Sequence, residues 1–135
     1  MSLFEALGIS GTGLTVNNTW MSAISDNIAN MNNAVNPSQP AFQTRYVVAR
    51  AMSYGSANGG VEVAGTALGS SAGTLVHDPT SPLADKNGYV RMPDVNLGDQ
   101  MTQLIMAERA YQANLSVISR AMSAYQSAMT LGKNA

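Results

Sequence analysis

The chain has 135 residues, a formal net charge of −1, 45% hydrophobic residues and only 11% charged residues. This length favours one domain, and the near-neutral charge gives no basis for nucleic acid or an anionic membrane as a partner. Cysteine is absent, which excludes a disulfide framework and a thiolate metal site. No apolar run approaches the ~20 residues of a membrane span. The N-terminal segment lacks the features of a cleaved secretory signal, so we expect a chain that stays in the cytoplasm or leaves it unprocessed.

The first helix is predicted over residues 14–34. Residues 1–13 contain three glycines, each of which weakens a helix by about 1 kcal/mol relative to alanine. We therefore expect residues 1–13 to be frayed in the free chain and helical only when neighbours cover them. Apolar residues at steps of three and four form a heptad seam, with Asn17 as its polar interruption. The seam residues are Leu14, Met21, Ile24, Ile28, Met31 and Val35.

The outer face of this helix is predicted to be polar but nearly uncharged. Its residues include Thr15, Asn18, Thr19, Ser22, Ser25 and Asn27. A solvent-facing helix normally carries lysine and glutamate, and neutral polar groups cost less to desolvate than charges. The composition indicates a face that other protein covers. The alternative is a polar helix of a small, self-contained bundle.

The middle of the chain is predicted to be rich in short strands and turns. Pro37 and Pro40 require a non-helical connection after the first helix. β-branched and aromatic residues then predict extended segments, separated by glycine-rich and proline-rich turns. These segments are 41–49, 61–67, 74–76 and 89–92, with a turn-rich stretch at 53–60.

A second, longer helix is predicted from Leu97 to about Gly132. Asn96 is a good N-cap, Asp99 favours the helix N-terminus, and Gly132 is a typical stop. Such a helix of roughly 50 Å needs a comparably long partner. Its heptad seam comprises Leu97, Met101, Leu104, Glu108, Tyr111, Leu115, Ile118, Met122, Tyr125 and Met129.

These elements predict a mainly α fold with a small β-rich middle. The long N- and C-terminal helices are expected to pair as an antiparallel coiled coil. We divide the chain into an N-terminal helical region (1–36), a β and loop region (37–93) and a C-terminal helical region (94–135).

No set of residues in the sequence predicts catalysis, a metal site or a cofactor. His77 is the only histidine and lies in a proline-rich loop. Glu108 is the one charge on the second seam, where a charge is costly unless it is paired. It could fix the register of a partner helix, or the seam could shift locally and leave Glu108 in water; the sequence leaves both interpretations open.

Four segments resemble the family of bacterial flagellar rod and hook proteins. The segment from Ser25 to Asn30 (SDNIAN) is similar to the SxNIAN signature of that family, and Ser10 to Leu14 resembles the element before it. The segment from Ala107 to Asn114 (AERAYQAN) resembles the AxRxYQAN element near the C-terminus. Between them, the run from Asp78 to Asn96 is similar to the proximal rod branch of the family.

The resemblance implies a structural, non-enzymatic subunit of the bacterial flagellar basal body. Such proteins leave the cell through the flagellar type III export apparatus without a cleaved signal peptide, and they polymerise helically into the rod, the drive shaft that crosses the periplasm and transmits torque for motility. The implied partners are copies of this chain, the rod proteins FlgB, FlgF and FlgG, and the base protein FliE. The resemblance implies neither nucleic-acid binding nor membrane insertion.

Two functions therefore compete: a rod subunit, and a self-contained helical and β module that binds a protein partner. An enzyme would lack the residues it needs. The residues predicted for helix pairing or the subunit interface are Leu14, Asn17, Met21, Ile24, Asn27, Ile28, Asn30, Met31, Leu97, Met101, Leu104, Glu108, Arg109, Tyr111, Gln112, Asn114, Leu115, Ile118, Met122, Tyr125 and Met129.

Overall fold

The computed structural model describes residues 3–54 and 57–133 as two long helices with two small sheets between them. The elements in chain order are α1 (Leu3–Asn30), β1 (Arg45–Tyr54), β2 (Ala57–Leu68), β3 (Thr74–His77), β4 (Tyr89–Met92) and α2 (Leu97–Lys133). The predicted fold class is confirmed: the terminal helices pack against each other, and the β-rich part lies between them in sequence.

The two helices run antiparallel. The rings of Phe4 and Tyr125 meet edge to face, with centroids 6.0 Å apart, at one end of the pair. At the other end, Asn27 Nδ2 donates a hydrogen bond of 2.9 Å to Gln100 Oε1. Residue numbers thus rise along α1 while they fall along α2, as the sequence predicted.

α1 begins at Leu3, so the expectation of a frayed segment over residues 1–13 is wrong for residues 3–13; residues 1–2 lie outside the described part. Packing on the strands offsets the glycine content. Thr12 Oγ1 accepts a hydrogen bond of 3.0 Å from Val61 N in β2. Most helical stability in proteins comes from such tertiary contacts rather than from propensity. The helix ends at Asn30, four residues before the predicted end.

α2 begins as predicted. Asp99 N donates to Asn96 Oδ1 at 3.1 Å, which confirms the N-cap. The predicted stop at Gly132 is wrong, because the helix continues through Gly132 to Lys133. Glycine permits a left-handed cap but does not enforce one. The 37 residues of α2 span about 55 Å at 1.5 Å per residue.

β1 and β2 form an antiparallel hairpin that is longer than the two predicted strands. Its register runs from Arg45↔Leu68 to Tyr54↔Ala57. Both strands extend into the stretch 53–60, whose central residues 55–56 lie outside the described part. Backbone pairing between β1 and β2 therefore extends beyond the β-branched residues from which the strand ends were predicted. α1 packs against both strands.

β3 and β4 form a second, short antiparallel pair, as predicted, with Thr74↔Met92 and His77↔Tyr89 at its ends. Arg91 joins this pair to the connection after α1. Its backbone pairs with Val35, and its guanidinium donates to the carbonyl oxygens of Pro37 and Ala72. One arginine thus fixes the loop that leads from α1 into the strands.

The buried apolar core is small. Among the described residues it consists of Ala23, Ile24, Ala41, Val90, Ala107 and Ala121. Most of these side chains are alanine, whereas many larger apolar side chains lie on the surface. The fold therefore buries small residues and leaves much of its apolar area exposed.

Candidate functional site

Small and amide side chains form the interface between the two helices. On α2, residues at a spacing of seven face α1: Gln100, Ala107, Asn114 and Ala121. On α1, the buried residues are Ser10, Gly13, Asn17, Ala23, Ile24 and Asn27. A Cβ atom added to Gly13 would lie 2.7 Å from Asn114 Nδ2. Because most of these side chains are small or are amides, the helices approach closely, and Ile24 is the only large apolar seam residue among them.

Asn27 ties α1, β1 and α2 together. It is only 1% exposed. Its Nδ2 donates to Arg45 O at 3.0 Å and to Gln100 Oε1 at 2.9 Å, while its Oδ1 accepts from Arg45 N at 2.8 Å. The prediction that Asn27 lies on the outer face of the helix is wrong. The asparagine within the SxNIAN-like segment instead sets the position where the first strand meets the helix pair.

Hydroxyl groups on the outer faces of both helices are satisfied within their own helix. Each donates to the carbonyl oxygen four residues earlier, at 2.9–3.3 Å. The donors are Thr15, Thr19, Ser22, Ser25, Thr102, Ser116, Ser123, Ser127 and Thr130. A donor that is already bonded loses little when water is removed. These faces are polar in composition, but covering them costs little desolvation free energy.

The hairpin covers one side of α1. On that side Val61 N donates to Thr12 Oγ1 at 3.0 Å, and Val16 lines a shared groove with Val47 and Ala49 of β1. Successive helical residues turn by about 100°, so Leu7, Leu14, Met21 and Ile28 lie on the other side of α1. The hairpin leaves that side of the helix pair open.

The apolar residues of α2 extend this open side. Phe4 and Leu7 of α1 line a groove of ≈ 340 Å³ with Met122 and Tyr125 of α2. A row at a spacing of seven, exposed throughout, continues it: Met101, Glu108, Leu115, Met122 and Met129. Together with Leu7, Leu14, Met21, Ile28, Leu104, Tyr111, Ile118 and Tyr125, this row forms a surface that we call the open flank.

The predicted interface residues fall into three groups by burial. The buried group is Asn17, Ile24 and Asn27. The half-buried group is Leu14, Met21, Ile28, Asn30, Met31, Leu104, Tyr111, Asn114 and Ile118. The exposed group is Leu97, Met101, Glu108, Arg109, Gln112, Leu115, Met122, Tyr125 and Met129. Asn17, Ile24 and Asn27 thus lie at the interface between the helices, whereas most large apolar residues of both seams are half-buried or exposed and lie on the open flank.

Sequence reasoning missed Gln100, Ala107, Ala121 and Gly13 as pairing residues. The signal was a heptad spacing of small residues, which pack helices closely, whereas the prediction followed the large apolar residues. Both patterns are periodic, and periodicity alone does not distinguish a face covered within the chain from one left open.

The described residues offer no arrangement for metal or covalent chemistry. No group of three or more potential metal ligands occurs among residues 3–54 and 57–133. His77 is exposed and contacts the Tyr89 ring edge to face, at 5.0 Å between centroids. Over the same part of the chain, neither helix has the length and apolar character that crossing a membrane requires.

Comparison with known proteins relates the chain to flagellar rod proteins. Residues 86–131 match the family described as "Flagellar basal body rod FlgEFG protein C-terminal". The flagellar basal-body rod protein FlgC of Salmonella typhimurium is 33% identical over 98% of this chain and 100% of the relative. This chain belongs to the FlgC family. The FlgC proteins of Borreliella burgdorferi (33% identical over 97% of this chain and 98% of the relative) and Bacillus subtilis (28%, 98% and 100%) are also similar.

Membership of the FlgC family confirms the resemblance to flagellar rod proteins. The similarity extends through the β-rich middle, because the match covers nearly the whole chain. FlgC proteins are named as rod proteins of the flagellar basal body. The family thus favours a structural subunit of the flagellum over a self-contained binding module.

Proposed function

We propose that this FlgC-family chain is built into the flagellar rod by covering its open flank with neighbouring subunits. The observation that carries the proposal is the exposure of the apolar row on α2: Met101, Leu115, Met122 and Met129 are 45%, 49%, 53% and 59% exposed. Fully burying an exposed large apolar side chain contributes roughly 1.5–3 kcal/mol, so covering the exposed half of each of these contributes about half as much. Exposed apolar side chains aligned along one face in this way are typical of a protein interaction surface.

The outer faces of α1 and α2 support the proposal that neighbouring subunits cover the helix pair on several sides. Their hydroxyl groups are bonded within the helices, and ionic groups are few. Heterologous, non-closing contacts between identical or related subunits generate helical assemblies. We therefore propose that the helix pair forms the inner part of the rod and that the β-rich middle lies further out.

For the partners we propose copies of this chain, FlgB, FlgF, FlgG and the base protein FliE, with the type III export apparatus as the route out of the cell. The proposed location is the periplasmic rod, reached without a cleaved signal peptide. We also propose that the protein is not an enzyme, since its relatives are named as rod proteins and the described residues contain no group of three or more potential metal ligands.

A charge on the open flank tests the proposal. Leu115→Asp should leave the chain folded, because the side chain is already half exposed, but should block assembly by burying an unpaired carboxylate, which costs several kcal/mol. The measurement is swimming motility and the amount of chain in purified basal bodies, in a strain whose own copy of the gene is deleted.

The matched control is Leu83→Asp, which places the same charge at a residue 43% exposed in the middle of the chain. It should assemble like the wild type. Wild-type motility of the Leu115→Asp strain would reject the open flank as the assembly surface. A half-buried position on α1, Ile28→Asp, is expected to block assembly as well.

A further inference from the structure

We propose that Glu108 receives an arginine or lysine from the helix of a neighbouring rod subunit, and that this ion pair sets the register between the two. The inference rests on the proposed function. The partner that covers the open flank is then a helix with a largely uncharged surface. That helix carries a single cation at the level of Glu108.

The position of Glu108 carries this inference. It is the one charged residue in the exposed row that includes Met101, Leu115, Met122 and Met129. Within residues 3–54 and 57–133, its carboxylate accepts a side-chain hydrogen bond only from Gln112, whose Nε2 donates at 3.4 Å from the next turn of the same helix. Within the described part of the chain no cation forms an ion pair with Glu108, although Asp26 pairs with Arg45 at 2.6 Å and Glu62 with Arg50 at 2.7 Å.

The free energy of removing water from Glu108 determines which partner can cover it. A partner that covers Leu115 and Met101, one heptad to either side of Glu108, must also remove water from the carboxylate between them. An unpaired buried charge is strongly destabilising, whereas an ion pair at one seam position fixes register and partner orientation. The occupant therefore brings a cation to this level.

The α2 helix of this chain carries exposed cations of the kind that the pairing requires. Arg109 and Arg120 are both exposed, and neither forms an ion pair within residues 3–54 and 57–133. Arg109 cannot serve Glu108 of its own chain, since adjacent helical residues diverge by about 100°. A related subunit with an arginine on such a surface has the complementary charge.

Three substitutions at Glu108 test the pairing in a strain deleted for the chromosomal copy. Glu108→Gln keeps a hydrogen-bond acceptor and should retain partial assembly. Glu108→Leu extends the apolar row but leaves the neighbour's cation buried without a partner, so it should incorporate on the order of tenfold less than Glu108→Gln. Glu108→Lys should incorporate least. The readouts are chain per purified basal body and swimming rate.

Gln39→Leu, which adds the same side chain at an exposed position in the loop between α1 and β1, controls for an added exposed leucine and should assemble like the wild type. Circular dichroism and the amount secreted verify that each variant folds and is exported. If Glu108→Leu assembles as well as or better than Glu108→Gln, Glu108 faces water in the rod and the pairing is wrong.

The two proposals fail differently. Failure of the wild-type chain to restore motility to the deletion strain would reject the rod function itself. Restoration by both the wild-type chain and Glu108→Leu would reject only the ion pair. Second-site changes that rescue Glu108→Lys should replace a basic residue of a rod subunit with an acidic one; rescue solely by changes within the strands of this chain would contradict the pairing.

Discussion

At the scale of single residues, the asparagine at position 27 shows how one carboxamide can organise three elements. It uses both of its polar atoms, and its partners are the backbone of Arg45 and the side chain of Gln100. Gln100 is itself only 3% exposed. Removing one member of such a buried network costs more than the bond itself, because the remaining groups lose their partners.

Asn27→Ala should therefore lower the free energy of unfolding by about 3 kcal/mol, since it leaves Arg45 N and Gln100 Oε1 without their bonds. Asn27→Asp should be worse, because a carboxylate oxygen would then face the carbonyl oxygen of Arg45, to which Asn27 Nδ2 donates. Urea unfolding followed by the helical circular dichroism signal measures both effects. Asn18→Ala, on the exposed face of α1, is the control and should change little; equal stability of all variants would contradict the role assigned to Asn27.

The sequence revealed that this asparagine belongs to a distinctive segment but placed it on the wrong face. Helical periodicity gives the direction of a side chain relative to its neighbours on the same helix. It does not identify the element that packs against that side chain. The partner of Asn27 is 73 residues away in sequence. Only the tertiary fold brings Arg45 and Gln100 to it.

At the scale of elements, the glycines of α1 differ in what surrounds them. A Cβ atom at Gly8 would meet nothing within 4 Å, whereas one at Gly13 would lie 2.7 Å from Asn114 Nδ2. The same substitution should thus have opposite effects at the two positions. Gly8 only lowers helix propensity, while Gly13 allows the helices to approach.

Gly8→Leu should stabilise the helix by up to about 1 kcal/mol through propensity. Gly13→Leu should destabilise the pair by roughly 1–3 kcal/mol, because the larger side chain must displace α2. Urea midpoints of the two variants and the wild type provide the measurement. Stabilisation by Gly13→Leu would show that the helices are not held close at this point.

The elements themselves were largely predictable, because caps, prolines and β-branched runs act locally. Asn96 and the β3–β4 segments were placed correctly for this reason. The start of α1 was not, since contacts with α2 and β2 outweigh three glycines. The facing residues of the helix pair were not predictable from large apolar side chains, because those residues extend onto the open flank while alanine, glycine and amides close the pair.

At the scale of the whole molecule, the low charge content determines how association should respond to solvent. With only 11% charged residues and neutral outer faces, the driving force is apolar burial with few ionic contacts. Simple salt screens charges, whereas sulfate strengthens apolar burial.

Raising sodium chloride from about 50 mM to about 500 mM should therefore weaken self-association of the purified chain by less than about threefold, while sulfate of the same ionic strength should promote it. Sedimentation velocity at fixed chain concentration measures both. The control is Glu108→Gln, whose salt response should be smaller still. Dissociation of the wild-type complexes in sodium chloride alone would show that charges, rather than apolar area, hold the subunits together.

The methionines of the exposed row have a chemical consequence. Met101, Met122 and Met129 present their thioethers to solvent in the free chain, and oxidation would turn them into polar, chiral sulfoxides. A subunit oxidised by peroxide before incorporation would carry three polar groups where its neighbours require apolar ones. Under the proposed packing, oxidants would damage free subunits but not subunits already covered in the rod, so the age of a flagellar rod would not measure its oxidative damage.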